Sequence, residues 1–245
     1  MIDRKYGFTG ETKELNGITL KQIVRLGDGE IGGWIECEDN LSQDGRCWVD
    51  STSMIYGHVK VSGNVLVECV SVVRDDAVVT GACVVCNKST VQGRAKVNGY
   101  VHLDNTFVAD STEISGYCFF YDSKVRGFAK VSEHVYCKSA TINGYSRISG
   151  NVTIKKGAVV TDFSDVGDNV TIGARSKLSG CAFVVGTDVK DDEEVHHETL
   201  TIQGVPCSSY KIAKLMEIHG YDLEEFVRHI EDGDEDGFLE IVACY

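Results

Sequence analysis

A single proline, Pro206, stands in 245 residues, so no proline-rich linker divides the chain. No apolar run approaches the roughly 20 residues that span a bilayer. The N-terminal "MIDRKYGFTG" also lacks the apolar core of a secretory signal. These absences predict a protein held in a cytosol, with no membrane partner. Only Cys83 and Cys86 form a CxxC pair, and a zinc ribbon needs two such pairs. The ten cysteines are otherwise scattered, and a reducing compartment leaves them as small buried hydrophobes.

Basic side chains are also scarce. There are 24 Lys and Arg against 37 Asp and Glu, a net charge of −13. The imbalance is local: residues 188–245 hold 16 acids and 4 bases, and residues 1–187 hold 21 and 20. Such a chain disfavours direct nucleic-acid binding, whose affinity comes largely from Lys and Arg on phosphates. An acidic segment built on Glu224, Glu225, Glu231, Asp232, Asp234, Glu235 and Asp236 either keeps a small domain solvated or meets a partner protein with a basic surface.

What the chain does have is a period. Stepping by six from Val49 to Leu103 meets ten aliphatic residues in ten positions, and from Ile142 to Val184 eight in eight. Two residues before these sites stand small or branched side chains such as Val59, Val65, Ser71, Ala77 and Cys83; two after them glycine is frequent. Residues two apart share one side of a strand. A small and a branched residue therefore enter the core together, and glycine permits the turn that follows. Ile114, Phe120, Val125, Val131 and Cys137 carry the pattern across the middle, with steps tightened to five near 114, 125 and 142.

These hexads resemble the hexapeptide repeat of left-handed parallel β-helices. The resemblance implies a mainly β, single-stranded, three-sided rod with 18-residue coils over residues 49–187. Seven or eight coils would make a rod of about 35 Å. Residues 1–48 are expected to cap it and lead in, with a β-hairpin turning at Asn16-Gly17. Residues 188–245 are expected to form an acidic C-terminal α-helical segment: one helix from Ser208 or Ser209 to Gly220, a second capped by Asp222 with Leu223, Phe226, Val227 and Ile230 on one side, then a final strand.

The segment "GGWIECEDNLSQDGRCWV", Gly32–Val49, leads into the hexads. Through Gly32, Gly33, Trp34, Leu41, Ser42, Gln43, Gly45 and Trp48 it resembles the N-terminal signature of bacterial and phage-encoded β-helix proteins, including the YdcK-like group. Trp34 and Trp48 are expected to pack into the first coil, and Gly32-Gly33 to let the chain bend into the prism.

Candidate chemistry is sparse. Hexapeptide β-helix acyltransferases use a histidine base, but His58 and His102 each precede an inward aliphatic and should point outward, and His134 lies in the irregular middle. They read as surface histidines. The γ-class carbonic anhydrases share the fold and place two zinc-binding histidines five apart; no two histidines here have that spacing. His196-His197 reads as part of a solvated connector. Asp232, Asp234, Asp236 and Glu240 fit part of a calcium loop, but Ala243 occupies the position of its bidentate ligand, so a solvated acidic turn is favoured over a calcium site and no cofactor is expected. Leu66, Val72, Val78 and Val84 lie just before inward positions and form an apolar outer belt, the expected interface between identical subunits.

These readings favour a non-catalytic, homo-oligomeric binding protein. By its resemblance it would be a phage-encoded inhibitor of a host defence complex in the bacterial cytoplasm, acting through the belt or the acidic segment. The alternatives are an acyl-CoA-dependent hexapeptide acyltransferase and a protein that sequesters a nucleotide in an inter-subunit pocket.

Overall fold

A computed structural model describes residues 4–197, 199–202 and 205–208. The N-terminal hairpin pairs strand β1, Tyr6–Leu15, with β2, Ile18–Arg25, around Asn16-Gly17. Both turn residues have positive φ, 51° and 82°, the backbone of a type I′ turn. Strand β3, Ile31–Ile35, pairs antiparallel with β2 and parallel with Met54–Ile55. The hairpin thus extends one sheet of the rod and blunts its edge there.

From β3 onward the chain winds through three stacks of short parallel strands. The first face carries the hairpin and ten parallel strands, from β3 to Glu194–His197. The second runs from Trp48–Val49 to Val170–Ile172, and the third from Lys60–Val61 to Phe183–Val185. At about 4.8 Å per strand, ten levels span roughly 43 Å. The stack is longer than the hexads suggest at both ends. Parallel pairing starts before Val49, at β3, and continues past residue 187, because Val189 is buried opposite Ile172 and Val195 packs on the core opposite Leu178. His196 and His197 therefore belong to a paired strand and not to a solvated connector.

The inward pattern follows the sequence closely. Val49, Ile55, Val61, Val67, Val73, Val79 and Val85 are buried, and so are Val59, Val65, Ser71, Ala77, Cys83, Ser89 and Ala95 beside them. The buried hydroxyls are matched, as when Ser71 donates to the Glu68 carbonyl at 2.7 Å and Ser89 to that of Leu103 at 3.0 Å. The turns approach one another so closely that a Cβ on Gly81 would meet the Gly99 nitrogen and oxygen, each at 2.7 Å.

Register explains the lost phase. Val49 lies opposite Val67 and Val67 opposite Val85, but Leu103 lies opposite Phe120, Phe120 opposite Cys137, and Cys137 opposite Ile154. The middle coils are one residue shorter. The residue is removed at the corner after the second face, where Val108, Val125 and Ile142 follow the preceding inward residue by five. Val108 is an inward position absent from the hexad reading, and the tightening expected near 114 falls there.

The Gly32–Val49 signature is a clasp. A Cβ on Gly32 would lie 2.6 Å from Ile23 and 2.7 Å from the Trp48 ring; on Gly33 it would lie 2.2 Å from the Asp50 carbonyl oxygen. Close approach requires these glycines, where a bend was expected. Trp48 is buried and joins the hydrophobic cluster, as expected, whereas Trp34 is only half-buried. Cations cover both rings, with Arg25 4.3 Å over that of Trp48 and Lys13 4.4 Å over that of Trp34. Gln43 accepts from the Lys5 and Tyr6 amides, and buried Asn40 donates to the Gly57 carbonyl at 2.8 Å.

The segments expected to form C-terminal helices, the acidic residues Glu224 to Asp236, and Glu240 of the calcium loop lie outside the described residues. Thr199–Ile202 and Val205–Ser208 pair as an antiparallel hairpin. Among the described residues no helix is long and apolar enough to cross a membrane.

Candidate functional site

The belt residues do not share one surface. Leu66 and Val84 are on the second face, Val72 on the first and Val78 on the third. Leu66 and Val84 continue into a patch that the sequence reading missed. Strands Tyr100–Asp104, Tyr117–Tyr121 and His134–Lys138 alternate inward core residues with an outward side rich in rings. Tyr100 stacks on Tyr117 with centroids 5.5 Å apart, and Tyr117 on His134 at 5.2 Å. His102 lies beside Phe119 at 6.2 Å. His134 is thus part of an aromatic row.

His102 has other neighbours. It shares the outward side of its strand with Asp104, and Cys86 of the preceding coil lies opposite Asp104. Cys86 Sγ is 3.8 Å from His102 Nε2. Burial, with the nearby charges of Asp104, Glu68 and Cys69, pushes the Cys86 thiol up to about 11. Cys83 faces the opposite way, into the core, so the CxxC pair cannot chelate one ion. Cys83 is likewise pushed up to about 11, and Cys118 and Cys137 to about 12, in each case chiefly by burial. Cys37 and Cys69 are exposed, contrary to the expectation of uniformly buried thiols.

The corner between the first and third faces holds a histidine–carboxylate pair. Its row runs through His58, Asp76, Arg94, Ser111, Phe128, Tyr145 and Phe163, each amide donating to the turn of the next coil. His58 Nδ1 lies 2.9 Å from Asp76 Oδ1. If Nδ1 donates to that carboxylate, Nε2 is the acceptor that faces solvent. His58 does point outward, as expected, with its side chain 91% exposed. Its partner comes from the next coil, and both side chains are largely exposed.

Further along the row, Phe128, Tyr145 and Phe163 stack nearly parallel, at 4.8 and 5.0 Å. Beside them lies a cleft of about 130 Å³ lined by Ser111, Glu113, Phe128, Lys130, Tyr145, Ser146 and Arg147. Lys96 pairs with Glu113 at 2.8 Å on the same face. The cleft is well under the ~300 Å³ at which small-molecule pockets begin.

No protein-family model matches the chain. Among curated proteins it is similar to the uncharacterized acetyltransferase YdcK of Escherichia coli strain K12, 29% identical over 105 residues, which are 37% of this chain and 32% of that one. The chain carries a hexapeptide-repeat parallel β-helix and is similar to that protein over the matched stretch. It spans about a third of the length of the curated relative it matches. A solved UDP-N-acetylglucosamine acyltransferase from Francisella novicida is 12% identical, covering 86% of this chain and 90% of its own, with a TM-score of 0.48. A UDP-N-acetylglucosamine O-acyltransferase from Moraxella catarrhalis RH4 is also 12% identical, covering 74% and 94%, with a TM-score of 0.28. The expected non-catalytic phage inhibitor of host defence is overturned by the curated relative, a bacterial protein named for acyl transfer.

Proposed function

We propose that the protein is an acyl-CoA-dependent acyltransferase whose site forms between identical subunits at the His58–Phe163 corner. The observation that carries this reading is the His58–Asp76 pair. The likeness to an acetyltransferase supports it. In the reaction, His58 Nε2 takes the proton of an acceptor hydroxyl or amine as that oxygen or nitrogen attacks the thioester carbonyl. The tetrahedral adduct collapses, the carbon–sulfur bond breaks, and the leaving thiolate receives the proton back from His58. Asp76 holds the ring and offsets the charge of the intermediate imidazolium.

Four coils separate His58 from Phe128, roughly 19 Å along the rod. An extended phosphopantetheine arm covers a distance of that order. Lys130 and Arg147 then suit the phosphates of the donor, and the exposed ring edge of Phe128 its base. Because the cleft has one wall only, the three-sided rod must associate to complete the site. The aromatic second face, continuous with Leu66 and Val84, supplies an apolar contact for that association.

The test is release of free thiol from acetyl-CoA with a panel of amine and hydroxyl acceptors, alongside calorimetry of acetyl-CoA binding. His58→Asn is expected to lower kcat about 100- to 10,000-fold while acetyl-CoA binding persists. A protein that neither binds acetyl-CoA nor releases thiol would overturn the reading.

A further inference from the structure

We infer that Cys86, His102 and Asp104 form a binding site for a borderline-soft divalent cation of the zinc type, distinct from the His58 corner. His102 and Asp104 are two apart on one strand and project from the same side. Cys86 is on the coil before, directly opposite Asp104. One ligand atom from each of the three lies within 4.8 Å of the other two, and the Cys86 Sγ to His102 Nε2 distance is 3.8 Å. Tetrahedral zinc, with bonds of about 2.3 Å to sulfur and 2.0–2.2 Å to nitrogen and oxygen, sets its ligand atoms about 3.3–3.6 Å apart. The three atoms thus stand slightly wider apart than a bound ion would set them.

The surroundings suit a cation in two further ways. The Asn87 amide donates to Asp104 Oδ2 at 3.0 Å, which fixes the carboxylate and leaves Oδ1 for an ion. Glu68 lies one coil below Cys86, its amide bonded to the Val85 carbonyl at 2.9 Å, and adds a negative charge beside the thiol. A thiolate between two carboxylates is unfavourable until a divalent ion joins them. On binding, the Cys86 sulfur–hydrogen bond gives way to a sulfur–metal bond, and the proton leaves to solvent. Thiolate and imidazole together select zinc-like ions over magnesium or calcium. Three protein ligands leave a fourth position for Glu68 or water.

The test uses the full chain, stripped with a chelator and titrated with Co²⁺ and then Zn²⁺. Wild type is expected to bind one Co²⁺ per chain with a thiolate-to-cobalt charge-transfer band that one equivalent of Zn²⁺ bleaches. Cys86→Ser should abolish the band, and His102→Asn should weaken zinc by about 10- to 100-fold or more, the scale for disturbing a metal's ligand shell. Cys69→Ser should change neither, and circular dichroism confirms that each variant folds. Absence of the band in wild type, or its persistence in Cys86→Ser, overturns the site. Acetyl-CoA binding of each variant is measured in parallel, and loss of the cobalt band with acetyl-CoA binding intact separates the two proposals.

Discussion

Asp165 occupies the third face between Arg147 and Phe183 of the neighbouring coils. Burial raises its carboxyl above the usual range, although Arg147 pulls the other way. A folded-state value above the unfolded one means that the folded chain disfavours the ionised form. The contribution to stability is therefore full below the unfolded value, about 3.9, and is lost as pH rises through the raised folded value. Asp165→Asn removes that loss. The variant should unfold at higher urea than wild type at pH 7, and the gap should close as pH falls below about 4; an equal gap at both pH values would rule out burial of charge as the cause. The same outward rows show what was hidden at the residue scale. His58 and Asp76 are 18 apart, Tyr100, Tyr117 and His134 successively 17 apart, and neither the pair nor the aromatic row is visible until the local coil length is known. Cys86, His102 and Asp104 meet only because Val84–Cys86 stacks on the strand 18 residues later.

The β1–β2 hairpin and the coils draw stability from different contacts. In the hairpin turn, Gly17 has φ of 82° and open space around it, so a methyl group there meets no neighbour and acts through backbone strain alone. Gly17→Ala should cost about 1–2 kcal/mol, the penalty of the left-handed conformation for a residue with a Cβ. Neighbouring repeats in a stacked rod couple only through their interface, so the loss should stay local. Hydrogen exchange is expected to speed up in Tyr6–Arg25 and to remain unchanged at Val125 and beyond. Uniform acceleration along the chain would show that the cap and rod unfold as one. The hairpin was legible because Asn-Gly between apolar stretches dictates its turn, and the coils because each inward position repeats one chemistry. The ends were less so. β3 enters the stack through an Ile-Gly-Gly-Trp-Ile stretch with no hexad on its N-terminal side, and Val189 and Val195 sit among acids that mask their period. The middle was blurred by one missing residue per coil at a single corner.

Across the whole molecule, a stack of like coils with a single continuous core should respond to damage according to where it falls. Phe120 is fully buried in the middle of the rod, where the 17-residue coils bring it between Leu103 and Cys137. Its ring fills space that valine or leucine fills in the longer coils, so removing it leaves a cavity with neighbours on both sides. Phe120→Ala should cost about 3–5 kcal/mol, the usual range for emptying a packed aromatic site. Val184 lies in the last strand of the third face and is 8% exposed, with a paired strand on one side only. Val184→Ala removes fewer contacts and should fray that end without reaching the centre. In a nearest-neighbour array the central change divides the rod into two shorter stacks, each with fewer interfaces to hold it. Urea unfolding of Phe120→Ala is therefore expected to shift to lower concentration and to broaden into two phases, one reported by Trp34 and Trp48 fluorescence at the N-terminal end and the other by exchange of the Val166–Ile172 amides. A single sharp transition, seen at the same urea by both probes, would show that the rod is cooperative across the cavity and that the coils do not behave as an array of neighbours.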